Sequence, residues 1–194
     1  MRDRRVGAMG GAGALVSLVV VALPSIGGEA YAPDAGEGGA VGAAAAAAQE
    51  APCRTEHHRR FDFWLGEWSV TQSDGTLAGT NRIRTILDGC VLAEEYSTPE
   101  GYEGRSFSTY DARRGVWHQT WVDNANQLLV FEGGWRDSAM VLEGESLGRG
   151  GSPVWHRITW TREGPRDVRQ LWEISRDEGG TFEIFFDGRY HRVP

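Results

Sequence analysis

The sequence has no lysine: all 20 of its basic residues are arginine. This absence excludes lysine chemistry as a class, including Schiff-base catalysis, the lysine of a phosphate-binding loop and Ser-x-x-Lys nucleophiles. The formal net charge is −7, so the chain also lacks the excess of positive charge that is typical of nucleic-acid-binding surfaces. We therefore expect no nucleic-acid partner.

The sequence also has no apolar run long enough to span a bilayer. Its longest apolar stretch, Ala14 to Leu23, follows three arginines, and this layout is typical of a signal peptide. Small residues favour cleavage after Ala30, with Ala32 as the alternative. The Ala/Gly-rich residues that follow hold too little apolar bulk to fold. We predict an exported protein, periplasmic or secreted, with a signal peptide over 1–30, a disordered linker over 31–52, one domain over 53–194, and no membrane span after cleavage.

Cysteine is scarce, with Cys53 and Cys90 the two in the chain. Because an exported chain meets an oxidising compartment, a disulfide between them is predicted, and two free thiols are the alternative. The five histidines show neither His-x-x-x-His nor His-Glu-x-x-His spacing, and no Cys-x-x-Cys occurs. No metal site built by the protein alone is expected.

Long helical patterns are missing, and most of the domain has the period of a β-strand. Apolar residues spaced three and four apart predict one short helix within 54–66, with Gly66 at its C-terminus. After it, alternating segments are separated by turn signals such as Asp-Gly and Gly-Gly. The predicted strands are 67–73, 78–87, 91–98, 104–110, 115–123, 127–134, 139–147, 154–162, 168–175 and 181–192. This pattern predicts an all-β fold, an antiparallel up-and-down barrel of about ten strands with one short N-terminal helix, and closure into a barrel is preferred to a sandwich because it removes the strand edges.

Alternation along the strands also places several polar side chains on the inner, apolar faces. These residues are Asn81, Gln119, Gln170, Tyr190 and Arg192. Buried polar groups need hydrogen-bond partners, so the set either forms a structural network or faces a cavity in which a ligand completes the pairing. In the second case Trp121 and Trp172 supply apolar walls.

Four segments carry a family resemblance. They are Phe61–Trp68, Gly79–Ile83, Trp117–Asp123 and Phe186–Tyr190. Together they resemble a family of exported bacterial proteins of unknown function whose outline is similar to the calycins: lipocalins, fatty-acid-binding proteins and nitrobindins. The resemblance covers 53–194 and implies a barrel with an internal cavity. It also implies a closing contact in which a tryptophan of the first strand, Trp68, packs under an arginine of the last, Arg192.

Candidates for catalysis are weak in the sequence. Gly-x-Ser-x-Gly around Ser146 matches a nucleophile elbow, but no helix can start in the glycine-rich segment that follows it. His156 is the best-placed histidine for a haem ligand, by analogy with the nitrobindins. We assign no catalytic residue and expect no cofactor.

The predicted function is binding of a small amphipathic molecule inside an exported barrel. One alternative is a hydrolase or isomerase that uses the same cavity, with Asp123 or Glu94 as its base; a carboxylate facing inward beside Gln119 would favour it. The other is a filled barrel that acts as a structural or interaction module. The sequence indicates neither the identity of the ligand nor the oligomeric state.

Overall fold

Ten antiparallel strands form a closed barrel in the computed structural model, which describes residues 52–148 and 150–194. The strands are β1 Gly66–Thr71, β2 Leu77–Ile86, β3 Val91–Ser97, β4 Glu103–Asp111, β5 Val116–Asp123, β6 Leu128–Arg136, β7 Ala139–Leu147, β8 Pro153–Arg162, β9 Asp167–Ser175 and β10 Glu183–Arg192. Each strand pairs with its neighbours in the chain, and β1 pairs with β10. The predicted fold class is confirmed. The proposed signal peptide and nearly all of the linker lie outside the described residues.

The short helix predicted within 54–66 is present, and it is interrupted before β1. The chain forms α1 over Glu56–Arg59 and then a 3₁₀ turn over Asp62–Trp64. The backbone leaves helical geometry at Phe61, with φ −100° and ψ 2°. After this break Phe61 and Trp64 are both fully buried. The predicted helix is therefore split at the point where the chain turns to bury its aromatic residues.

These two aromatic side chains close one end of the barrel. The ring of Phe61 stacks on Trp64 with centroids 4.9 Å apart and meets Trp117 edge-on at 5.6 Å. Trp64 lies 5.3 Å from Trp160 of β8. We call Phe61 and Trp64 the plug. The β2–β3, β4–β5, β6–β7 and β8–β9 turns surround this plugged end, and the other turns surround the opposite, open end.

A disulfide holds the start of the plug segment to the barrel. Cys53 is bonded to Cys90, with the two Cα atoms 4.9 Å apart. Cys90 lies directly before β3, in the turn that joins it to β2. The predicted pairing is confirmed.

Alternation gives the correct inner face for Asn81, Gln119, Gln170 and Tyr190, which are all buried, but it fails at the start of β10. Alternation along β10 from Tyr190 places Phe186 and Ile184 on the inner face, but Ile184 is 63% exposed. The register between β10 and β9 shifts between Ile184 and Phe186. Such a bulge inserts one residue, so the side chains before it change face. Phe185, which the same alternation places on the outer face, consequently lines the open end of the barrel interior.

The barrel closes where β1 meets β10. Trp68 is paired directly with Arg192 across the two strands, and the guanidinium carbon lies 4.5 Å from the indole centroid. Gly66 makes room for this contact, because a Cβ atom at that position would lie 2.3 Å from Nη1 of Arg192. Its φ of +138° is also one that side-chain-bearing residues rarely adopt. The closure contact therefore uses both an arginine and a glycine.

We expect Arg192→Ala to lower the free energy of unfolding by about 2 kcal/mol, since a partly desolvated cation–π contact and the packing of the arginine stem are both lost. Denaturant unfolding of the purified chain measures this change. Arg189→Ala is the matched control on the same strand. Arg189 bonds Glu163 at the surface, so its loss should change stability by less than about 0.5 kcal/mol. Equal losses for the two variants would contradict the closure role of Arg192.

Candidate ligand-binding site

The open half of the barrel contains an internal cavity of about 350 Å³. Its lining comes from six strands, β3, β5, β6, β8, β9 and β10, and from the β3–β4 and β5–β6 turns. The lining residues are Glu94, Tyr96, Thr98, Tyr102, Gln119, Trp121, Ala125, Gln127, Phe131, Ile158, Trp160, Gln170, Trp172, Phe185, Phe186 and Tyr190. The volume lies at the lower end of the range for small-ligand pockets, about 300–1,000 Å³. The barrel interior is therefore not completely filled by side chains.

Aromatic side chains form the walls and the mouth of the cavity. Trp172 meets Phe185 at 4.8 Å and Phe131 at 6.2 Å, both edge-on. On the opposite wall Trp121 lies 6.5 Å from Tyr96. Phe131 is buried, whereas Tyr96, Trp121 and Trp172 are partly buried and Phe185 is exposed, so these four rings present π faces and edges to a molecule that enters.

Asp123 anchors the mouth on the Trp121 side. Its Oδ2 atom accepts hydrogen bonds from the Tyr102 hydroxyl at 2.8 Å and from the Trp121 indole nitrogen at 3.2 Å. Burial raises the pKa of Asp123, but these bonds and one from the Gln127 backbone N–H outweigh it and leave the pKa below its usual value. The ionised carboxylate of Asp123 holds the rings of Tyr102 and Trp121 in place through these hydrogen bonds. It is poorly suited to serve as a base.

The inner end of the cavity is polar and centres on Glu94, whose residue exposure is 6%. One carboxylate oxygen accepts from the Asn81 amide at 2.7 Å, and the other accepts from the Ser106 hydroxyl at 2.6 Å. Burial raises the pKa of Glu94 to about 7, although the two hydrogen bonds oppose the rise. Near neutral pH this group therefore exists in both protonation states.

Two glutamines and a tyrosine extend the network from Glu94. Gln119 donates through Nε2 to Ser106 at 3.2 Å and to Ser108 at 3.0 Å. On the other side the Tyr190 hydroxyl donates to Oε1 of Gln170 and accepts from Asn81 at 3.3 Å. We call these residues the polar network: Asn81, Glu94, Ser106, Ser108, Gln119, Gln170 and Tyr190.

The residues of the polar network do not satisfy all of one another's hydrogen-bonding groups. Among the residues that the structure describes, Oδ1 of Asn81 is buried and has no hydrogen-bond partner. The bonds of Gln119 run through Nε2 and the bond of Gln170 through Oε1. Within residues 52–148 and 150–194, the Gln119 carbonyl oxygen and the Gln170 amide nitrogen make no further hydrogen bond, and both side chains line the cavity. An acceptor and a donor are thus available there to a bound molecule.

The Ser146–His156 pair beside the cavity has the wrong tautomer for nucleophilic catalysis. The Trp172 indole N–H donates to Nδ1 of His156 at 3.1 Å. An indole nitrogen can only donate, so Nδ1 is unprotonated and Nε2 carries the hydrogen. Nε2 therefore donates to the Ser146 hydroxyl, 2.7 Å away, and is not free to accept its proton. Burial also lowers the pKa of His156, and with both ring nitrogens bonded neither is left free for a haem iron.

The sequence-predicted ligand residues fall into three groups. Gln119, Trp121, Gln170, Trp172 and Tyr190 line the cavity. Asn81 lies behind it and bonds Glu94 and Tyr190. The assignment of Arg192 to the ligand site is corrected, because this side chain lies at the plugged end, over Trp68, and is not among the cavity lining. Alternation correctly placed Arg192 on the inner face of the barrel. It could not tell whether the side chain lies at the open end or at the plugged end.

Sequence reasoning did not assign Glu94 and the two serines to the ligand site. Alternation with Leu92 on β3 could have placed Glu94 inside, but Ala93 between them is also buried, at 3% exposure. On β4 the pattern is inverted, since Phe107 is 57% exposed while Ser106 and Ser108 are buried. A prediction from hydrophobicity would therefore place Phe107 inside the barrel and the two serines outside it.

No protein-family model matches the chain, and no curated protein matches it. Over the part of the chain that the structure describes, His, Cys, Asp and Glu side chains form no group of three or more that could hold a metal ion. Within the same residues no helix is long and apolar enough to cross a membrane.

Proposed function

We propose that this protein is an exported, calycin-like barrel that binds a small amphipathic molecule in its cavity. Aromatic walls suit the apolar body of such a molecule, and the polar network suits its head group. The observation that carries the proposal is that two residues lining the cavity, Gln119 and Gln170, each keep a polar atom without a partner among the described residues, and a bound molecule can pair with both. The disulfide supports export, since such bonds persist in oxidising compartments.

The proposal predicts that the protein retains a small molecule when it is purified without denaturation from the organism that makes it. Native mass spectrometry should show an added mass that denaturation releases. Ala125→Trp should reduce the bound fraction, because residue 125 lines the cavity mouth and is exposed, and an indole there narrows the entrance.

Ala112→Trp is the matched control for this experiment. Residue 112 is also exposed but lies in the β4–β5 turn at the plugged end, so its variant should retain the molecule as the unmodified protein does. A mass that both variants retain equally would place the molecule outside the cavity. No retained mass in any form, with the cavity empty, would favour the structural role.

A second candidate function is proton transfer, as in an isomerase. The observation that favours it is Glu94, an inward carboxylate connected to Gln119 through Ser106, with a pKa of about 7 that suits a general base at neutral pH. The retained molecule distinguishes the two functions. Incubated with fresh protein in D2O, a substrate incorporates deuterium or changes structure, whereas a ligand is recovered unaltered.

A further inference from the structure

We infer that the head group bound in this cavity is a cation, an ammonium group of an amine, and that Glu94 is its counter-ion. This inference rests on the proposed ligand-binding function and names the chemical class of the ligand. It is carried by the charges that face the cavity, the hydrogen-bond geometry around Glu94 and the aromatic walls.

The charges around the cavity have one sign. Among the described residues that line it, Glu94 is the one carboxylic acid, and none is an arginine or a histidine. An anionic head group would find no cation there and would lie against Glu94. Placing two like charges in a site of low dielectric is strongly unfavourable, whereas an opposite charge compensates the buried carboxylate.

The contacts of Glu94 hold it as an acceptor. Asn81 and Ser106 each donate to one oxygen, which fixes the carboxylate and leaves further lone pairs on both atoms, since an ionised carboxylate accepts about four hydrogen bonds. The free carbonyl oxygen of Gln119 is a second acceptor in the same cavity. A head group with several N–H donors fits this pair of acceptors.

The walls suit the rest of a cationic ligand. Trp121, Trp172, Tyr96 and Tyr102 line the same cavity as Glu94. Aromatic faces attract cations by about 0.5–1 kcal/mol each when exposed and about 2 kcal/mol when desolvated. The aromatic lining therefore favours an alkyl or aryl amine in addition to the contact at Glu94.

Ionisation of Glu94 makes the binding pH-dependent. The groups that face its carboxylate are Asn81 from β2, Ser106 from β4 and Tyr190 from β10, with Tyr96 farther along β3. Burial raises the pKa of both tyrosines above the usual value, so they stay neutral between pH 5 and 9, and the site titrates through Glu94. Below about pH 7 an amine must displace a proton from Glu94, so amine affinity should rise with pH up to about 7 and then level off.

Three matched probes test the inference: 4-phenylbutylamine, 4-phenylbutanol and 4-phenylbutanoate, titrated into the full chain and followed by calorimetry. At pH 8 the amine should bind about tenfold or more tightly than the alcohol, which is the usual gain from a hydrogen bond to a charged partner. The acid should bind most weakly. Between pH 8 and pH 5 the amine should weaken by about tenfold or more, while the alcohol changes little.

Glu94→Gln should remove the preference for the amine over the alcohol and its pH dependence. Glu95→Gln is the matched control, because Glu95 faces outward on the same strand and bonds Arg84. It should bind all three probes as the unmodified protein does. If the alcohol or the acid binds as tightly as the amine, the cation assignment is wrong and the cavity remains a ligand site. If none of the probes binds, the assignment is also overturned, and the retained-mass experiment alone then decides the proposed function.

Discussion

Replacing both cysteines with serine is expected to lower the free energy of unfolding by about 4 kcal/mol, which is the chain-entropy value for a closed loop of this length. The bond joins residues 37 apart and ties the plug segment to the turn before β3. Without it the unfolded chain gains conformational freedom, and the segment that carries Phe61 and Trp64 keeps its noncovalent contacts alone. Denaturant unfolding of the Cys53→Ser/Cys90→Ser variant measures the loss.

Reduction of the unmodified protein provides the matched control, because it opens the same loop without changing the sequence. It should lower stability by a similar amount, and the serine variant should be insensitive to the reductant. A loss below about 1 kcal/mol in both cases would contradict the expectation, since it would mean that the folded barrel holds the plug without help from the loop closure.

Glu94→Gln is expected to stabilise the protein at alkaline pH. The folded-state pKa of Glu94 is about 7 against 4.5 for the free side chain, so between these values the folded protein keeps a proton that the unfolded chain has lost. The free energy of unfolding therefore falls as pH rises through this window, by about 3 kcal/mol in total. Glutamine cannot ionise, so the variant avoids this loss and should be more stable by up to about 3 kcal/mol at pH 8.

The stability difference should vanish at about pH 4, where Glu94 is protonated in both states. The test is to measure the stability of both proteins by thermal unfolding at intervals from pH 4 to pH 9. Glu95→Gln should not reproduce the effect, because this exposed carboxyl bonds Arg84 at the surface. If the stabilities of the unmodified protein and of Glu94→Gln change with pH in parallel from pH 4 to pH 9, Glu94 does not titrate between its free and folded pKa values.

The strands could be predicted closely from the sequence, and their ends differ from the structure by at most two residues. Period-two alternation and glycine-rich turns are local signals, so they can be recognised in the sequence without knowledge of the fold. The break at Phe61 and the bulge before Phe186 were not predicted. Both depend on what the side chains pack against, and that information lies in other strands.

The candidate site was predicted in part for the same reason. Gln119, Gln170 and Tyr190 stand out because they are polar residues within apolar alternation. Ser106 is small and lies next to the exposed Phe107, so its strand shows an inverted pattern. Glu94 was considered as a base rather than a ligand contact, because the pair Glu94-Glu95 does not by itself tell which member faces inward.

The order of the strands has a consequence for how the chain folds. Nine of the ten strand pairings join neighbours in the chain, and the tenth joins β1 to β10. Hairpins between neighbours require little loop-closure entropy and form early, whereas a pairing between the two ends of the domain requires the most. The Trp68–Arg192 contact belongs to that last, least local pairing. We expect it to be absent from the folding transition state, so that weakening it accelerates unfolding and leaves the folding rate nearly unchanged.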